Sequence, residues 1–214
     1  MKLLKITSFF LFLLFLNCEA TSEKKSSTNL VNVSFSDAVN EENLDGRLLL
    51  IFADSNEKEP RFLVSEGLDA QPIFGKNVEN LKPNEKVSFD HAVFGFPYES
   101  LSQLKEGEYY VQAVLHVYET FNLSTGHTVK LPMDKGEGQQ WKTSPGNLYS
   151  TPVKVVVTEN GIKDLDIVLD QVIPEIVVAA DTEWIKHIKM KSDLLSEFWG
   201  RDMYVGAHVL LPKG

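Results

Sequence analysis

The chain has 214 residues, with 21 Lys+Arg against 30 Asp+Glu and a formal charge of −9. An acidic balance of this kind excludes a nucleic-acid partner, because phosphate binding needs a basic surface. The one cysteine, Cys18, excludes an internal disulfide and a thiolate zinc site, while 43% apolar residues supply enough material for a packed core.

In chain order, Lys2 and Lys5 make a short positive start and Ile6 to Leu16 (ITSFFLFLLFL) an apolar run. Spanning a bilayer takes about 20 apolar residues, so the run is too short for an ordinary transmembrane helix and has the pattern of a secretory signal. It ends Leu14-Phe15-Leu16-Asn17-Cys18. This resembles the lipobox of bacterial lipoproteins, whose Cys becomes the lipidated first residue after cleavage. Phe15 stands where Leu is usual, and Asn17 replaces the usual Gly, Ala or Ser. The resemblance implies a signal peptide over 1–17 and a bilayer anchor at Cys18. It places the chain in the cell envelope, on the outer membrane or a periplasmic face. Each buried acyl CH₂ contributes about 0.8 kcal/mol, so two or more chains hold a protein without a spanning helix. Residues 18–28 are polar and aperiodic, and read as a flexible tether.

From residue 29 the apolar period is two, the mark of strands. Val31, Val33 and Phe35 alternate with polar neighbours, as do Val87 and Phe89. Tyr109 to Val117, Val153 to Val157 and Leu165 to Leu169 repeat the pattern. Leu48 to Ala53 is continuously apolar, the mark of a strand covered on both faces or near a core centre. Asn160-Gly161 between two alternating runs predicts a hairpin. Helical signals are confined to one turn near Ser100–Lys105 and another near Asp193–Phe198. Short strands separated by turn residues predict an all-β fold, an antiparallel Ig-like β-sandwich over 29–171. After Pro174, Glu183–Lys191 and Tyr204–Pro212 predict a strand-rich extension over 172–214, a two-strand addition to the sandwich.

Two stretches carry a second resemblance. Leu194–Gly214 (LLSEFWGRDMYVGAHVLLPKG) is similar to the first strands of bacterial secreted putative esterases of the α/β-hydrolase fold. Gly126–Asp134, Gly138–Trp141 and Ser144–Ser150 resemble the sandwich-like N-terminal region of such esterases. The resemblance implies an accessory region cut before its catalytic domain, with a hydrolase domain as partner. Gly-x-Ser-x-Gly, the nucleophile elbow of that fold, does not occur here. No catalytic residue is carried over, and the expected role is non-catalytic.

The irregular stretch Leu131–Tyr149 is longer than the roughly 12–15 residues usual for a loop without secondary structure, and such loops are often functional. Trp141, Tyr149 and Phe121 are candidate stacking residues for a glycan, with loop anchoring as the simpler role for the first two. Asp134 and Glu137 fall short of the roughly six to eight oxygens of a calcium shell. The five histidines show no metal-ligand spacing, so neither metal nor cofactor is expected. His116 and His127 are placed to face each other across a hairpin, most simply as cross-strand packing. Ser124, Ser144 and Ser150 have no base assigned to them by the sequence. Lys186, Lys189 and Lys191 form a local basic patch, read as a solvated strand face.

Overall fold

The computed structural model describes residues 30–67 and 69–213. Cys18, the signal run and the tether lie outside the described residues.

The fold is all-β. Strands β1 (Val31–Phe35), β4 (Val87–Phe89) and β10 (Leu165–Leu169) form a three-stranded sheet in the order β10-β1-β4. A larger sheet runs β11-β8-β6-β2-β3-β5, with β7 and β9 also pairing β6. Its members are β2 (Leu44–Ala53), β3 (Ile73–Leu81), β5 (Gly95–Phe96), β6 (Gly107–Asn122), β7 (Thr128–Leu131), β8 (Leu148–Tyr149), β9 (Val153–Val157) and β11 (Gln171–Val172). Pairing is antiparallel except between β1 and β10, which run parallel from Val31↔Leu165 to Phe35↔Leu169. This pair closes the first sandwich strand onto one far away in sequence.

The two sheets face each other over one core. Val33, Phe35, Phe89 and Leu169 of the small sheet pack with Leu50, Phe52, Phe74 and Leu115 of the large one. Burying a side chain of this size contributes roughly 1.5–3 kcal/mol. The outer face of the large sheet is covered too: Leu49, Ile51 and Val114 make a second cluster with Val64, Ile73, Trp141 and Tyr149. The apolar run Leu48–Ala53 is thus a strand buried on both faces.

The Asn160-Gly161 turn is tight, with Thr158 and Gly161 exchanging both backbone hydrogen bonds, at 3.1 and 2.8 Å. It does not make a hairpin. β9 continues into β6 of the large sheet and β10 into β1 of the small one. Val157 and Ile167 enter the same core from opposite sheets, and that burial separates the strands.

Asp45 sits at a β-bulge, where the β2–β3 register shifts between Leu44 and Gly46. Its Oδ1 accepts the backbone N–H of Asn80 at 2.8 Å. Gly46 beside it crosses β6 so closely that a Cβ would lie 2.2 Å from the His116 carbonyl oxygen.

The C-terminal unit is a separate antiparallel pair, β12 (Ile185–Lys191) and β13 (Tyr204–Leu210), joined by helix α1 (Asp193–Trp199). Ser192 caps α1, its Oγ accepting the Leu195 N–H. Gly200 ends it in the left-handed region at φ 68°, where a Cβ would also meet the Asn122 carbonyl oxygen at 2.3 Å.

Candidate functional site

The C-terminal unit docks on the end of the β6–β7 hairpin. Ser124 N–H donates to the Phe198 carbonyl at 2.9 Å, and Arg201 Nη1 meets Glu119 Oε2 at 2.6 Å. The Arg201 guanidinium also lies over the Phe121 ring, 4.7 Å from its centroid, and Trp199 stands edge-on to the same ring. A cleft of about 850 Å³ opens beside this joint. One wall carries Phe121, Leu131, Met133, Asp134 and Gln139, and the other Trp199, Met203, Tyr204 and His208. A concave, largely apolar surface with a few polar groups is the usual form of a small-ligand site.

The sandwich-side wall owes its shape to backbone geometry. Gly136, Gly138 and Gln139 all have positive φ, at 105°, 69° and 64°. Asp134 Oδ1 accepts the N–H groups of Gly136 and Gly138, and Glu137 Oε2 accepts that of Lys135. Both carboxylates therefore organise the loop. Further on, Asn147 staples the loop to the sheet. Its Oδ1 accepts the Val117 N–H at 2.9 Å and its Nδ2 donates to the Trp141 carbonyl at 2.9 Å.

The three stacking candidates fall in two places. Trp141 and Tyr149 lie together over the outer face of the large sheet, half-buried against Leu49, Ile51 and Val114. Arg61 covers Tyr149, with its guanidinium carbon 4.1 Å from the ring centroid. Phe121 belongs to the cleft, where it is 2% exposed beneath Trp199 and Arg201.

Arg61 is itself buried in a polar network that the sequence did not reveal. Its backbone N–H donates to Gln112 Oε1, and Gln112 Nε2 donates to Glu59 Oε2 and to the Ser150 carbonyl. The Arg61 Nε lies 2.9 Å from Glu59 Oε2. Ser150 Oγ accepts the Ala113 N–H at 3.0 Å, so that hydroxyl serves the backbone.

The histidines are arranged differently from the sequence expectation. His116 lies opposite Arg47 on β2 and edge-on to Tyr118, while His127 sits in the exposed turn after β6. Burial holds His116 below the usual imidazole range, partly offset by the Glu137 carboxylate. The histidines that do face each other are His187 and His208, across β12 and β13. Both strands were legible in the sequence, and a register centred on the intervening helix pairs these two positions. Among the described residues no group of three or more His, Cys, Asp or Glu is disposed to hold a metal ion. The basic patch is individually partnered: Lys186 with Asp181 at 3.8 Å, Lys191 with Asp202 at 2.6 Å, and Lys189 over the Tyr204 ring at 4.8 Å.

No family model matches the chain, and neither a curated protein nor a solved structure matches it.

Proposed function

We propose that the chain is a membrane-anchored lipoprotein of the bacterial cell envelope. Its sandwich is a non-catalytic accessory body, and its β12–α1–β13 unit is the seat for a hydrolase domain. The observation that carries this reading is the contrast between the two parts. The sandwich buries its sheets against each other, whereas among the described residues the C-terminal sheet has two strands and leaves Ile188, Met190, Val205 and Leu210 exposed. Among the described residues each of its strands pairs on one side, and such edges and apolar faces are what an added sheet covers. Among the described residues no helix is long and apolar enough to cross a membrane. The anchor in this reading is the acylated Cys18.

Two measurements test the reading. Metabolic labelling with radioactive palmitate is expected to mark the wild type and to miss Cys18→Ser, which moves to the soluble fraction. Equal membrane retention of both would remove the anchor. The nucleotide sequence past codon 214 is expected to encode a hydrolase with a Gly-x-Ser-x-Gly elbow. The absence of such a region in every frame would remove the seat.

A second reading is a glycan-binding surface lipoprotein. It is favoured by the cleft, where the Trp199 and Tyr204 rings lie with Asp134, Gln139 and His208, a mixture of stacking faces and hydrogen-bonding groups suited to sugars. Retention on glycan affinity gels that Tyr204→Ala abolishes and Trp141→Ala leaves intact would place the sugar there. Equal retention of all three proteins would sink it.

A further inference from the structure

His187 and His208 are direct cross-strand partners in the middle of the β12–β13 ladder. Their rings meet at 84° with centroids 4.5 Å apart, and the two Nδ1 atoms point at each other. A neutral imidazole has one N–H and one lone pair, so this contact uses the Nδ1–H of one ring and the Nδ1 lone pair of the other. When both rings carry their proton on Nε2 instead, two lone pairs converge on one point. That is half of a tetrahedral donor set.

We propose that His187 and His208 together bind one transition-metal ion of the zinc, nickel or copper(II) class through their Nδ1 atoms, with water completing the shell. Imidazole nitrogen selects these ions over magnesium and calcium, which take oxygen ligands. A tetrahedral ion with bonds of about 2.0–2.1 Å needs its two nitrogens roughly 3.3 Å apart. Small side-chain rotations provide that separation, because His187 is half-buried and His208 exposed. The strands around the pair are well fixed. Asp181 Oδ1 accepts the His187 backbone N–H at 2.9 Å, and the Lys189 ammonium, on the same strand face, is held over Tyr204. His208 lines the cleft, so the ion would sit at its wall. A site of two protein ligands leaves coordination positions for a bound molecule, as catalytic and ligand-binding metal centres do. The metal site stands independently of whether a hydrolase domain occupies the C-terminal sheet.

The test is titration of the full chain, in detergent and stripped with a chelator, with zinc chloride and separately with calcium chloride. One equivalent of zinc is expected to bind saturably, and calcium not at all. His187→Ala and His208→Ala should each weaken zinc binding at least tenfold. His91→Ala and His127→Ala, at exposed loop positions, should leave it unchanged. Copper(II) electron paramagnetic resonance of the wild type, which needs no variant to fold, should show coupling to two equatorial imidazole nitrogens. The proposal is overturned by the lack of saturable zinc binding, by wild-type affinity in either strand variant, or by coupling to fewer than two nitrogens.

Discussion

The Trp199 indole stands edge-on to the Phe121 ring, with centroids 5.1 Å apart and planes at 69°. This contact, with the Arg201–Glu119 ion pair beside it, joins the C-terminal unit to the sandwich. Edge-to-face aromatic pairs contribute about 0.5–1.5 kcal/mol beyond the area they bury. Trp199→Ala should therefore free the C-terminal unit without unfolding the sandwich. Hydrogen exchange is expected to accelerate over 185–210 by roughly tenfold or more, equivalent to about 1.4 kcal/mol, while β2 and β6 keep their protection. Uniform acceleration across both parts would mean that the two unfold as one.

Asp45 couples the β2–β3 bulge to pH. The Asn80 N–H holds its carboxyl below the usual carboxylate range, against the opposing effect of burial, and Lys130 reinforces the shift from 3.0 Å. A carboxylate whose folded pKa is depressed stabilises the fold above its unfolded pKa of about 3.9, and that stability is lost as pH falls through the folded value. Asp45→Asn should cost roughly 1.5–3 kcal/mol at neutral pH, the range of a hydrogen bond to a charged group. Its denaturant midpoint should approach that of the wild type in acid. Parallel midpoint curves from pH 7 down to acid would show that Asp45 is not the linked group.

Gly46 is required by a close backbone crossing. Alanine there would bring a Cβ to 2.2 Å from the His116 carbonyl oxygen, which is main chain and cannot swing aside. Forcing strands apart in a packed sheet costs about 1–3 kcal/mol or more. Gly46→Ala should lower the melting temperature markedly. Gly67→Ala, whose Cβ would find nothing nearer than the Ser65 hydroxyl at 3.9 Å, should be nearly neutral.

Asn147 is 1% exposed and uses both ends of its amide, so its loss strands the Val117 N–H. An unsatisfied buried donor costs about 1–3 kcal/mol. Asn147→Ala should destabilise by that amount and loosen the loop over 132–147. Limited proteolysis should then cut within this loop first. A resistant loop would show that the Lys135 contacts, to the Pro145 carbonyl at 3.1 Å and Glu119 at 3.9 Å, suffice to hold it.

Much of the strand inventory was legible because half-buried strands alternate. The runs at 31–35, 153–157 and 165–169 coincide with β1, β9 and β10. The turn expected near Asp193–Phe198 is α1. β3 was not legible. Its buried residues Phe74, Val78 and Leu81 are spaced by four and three: exposed Lys76 holds the in-phase position between the first two, and the bulge opposite Asp45 breaks the alternation before Leu81. The cleft was legible only in part. Phe121 stood out as an aromatic on a strand, but nothing in its neighbourhood pointed to Trp199, 78 positions away.

By itself the sequence determined that its alternating apolar runs are strands, that the continuous run of β2 lies deep in the core, and that the last forty or so residues differ from the rest. These are local properties, readable from the period and length of apolar runs. Only the tertiary structure decided partners: β10 parallel to β1, β9 and β10 parted between two sheets, Trp141 separated from Phe121, and His187 set against His208. Pairing depends on how two sheets share one core and where a bulge shifts the register. An alternating strand presents the same pattern to every neighbour it could have, so that choice is absent from any one segment.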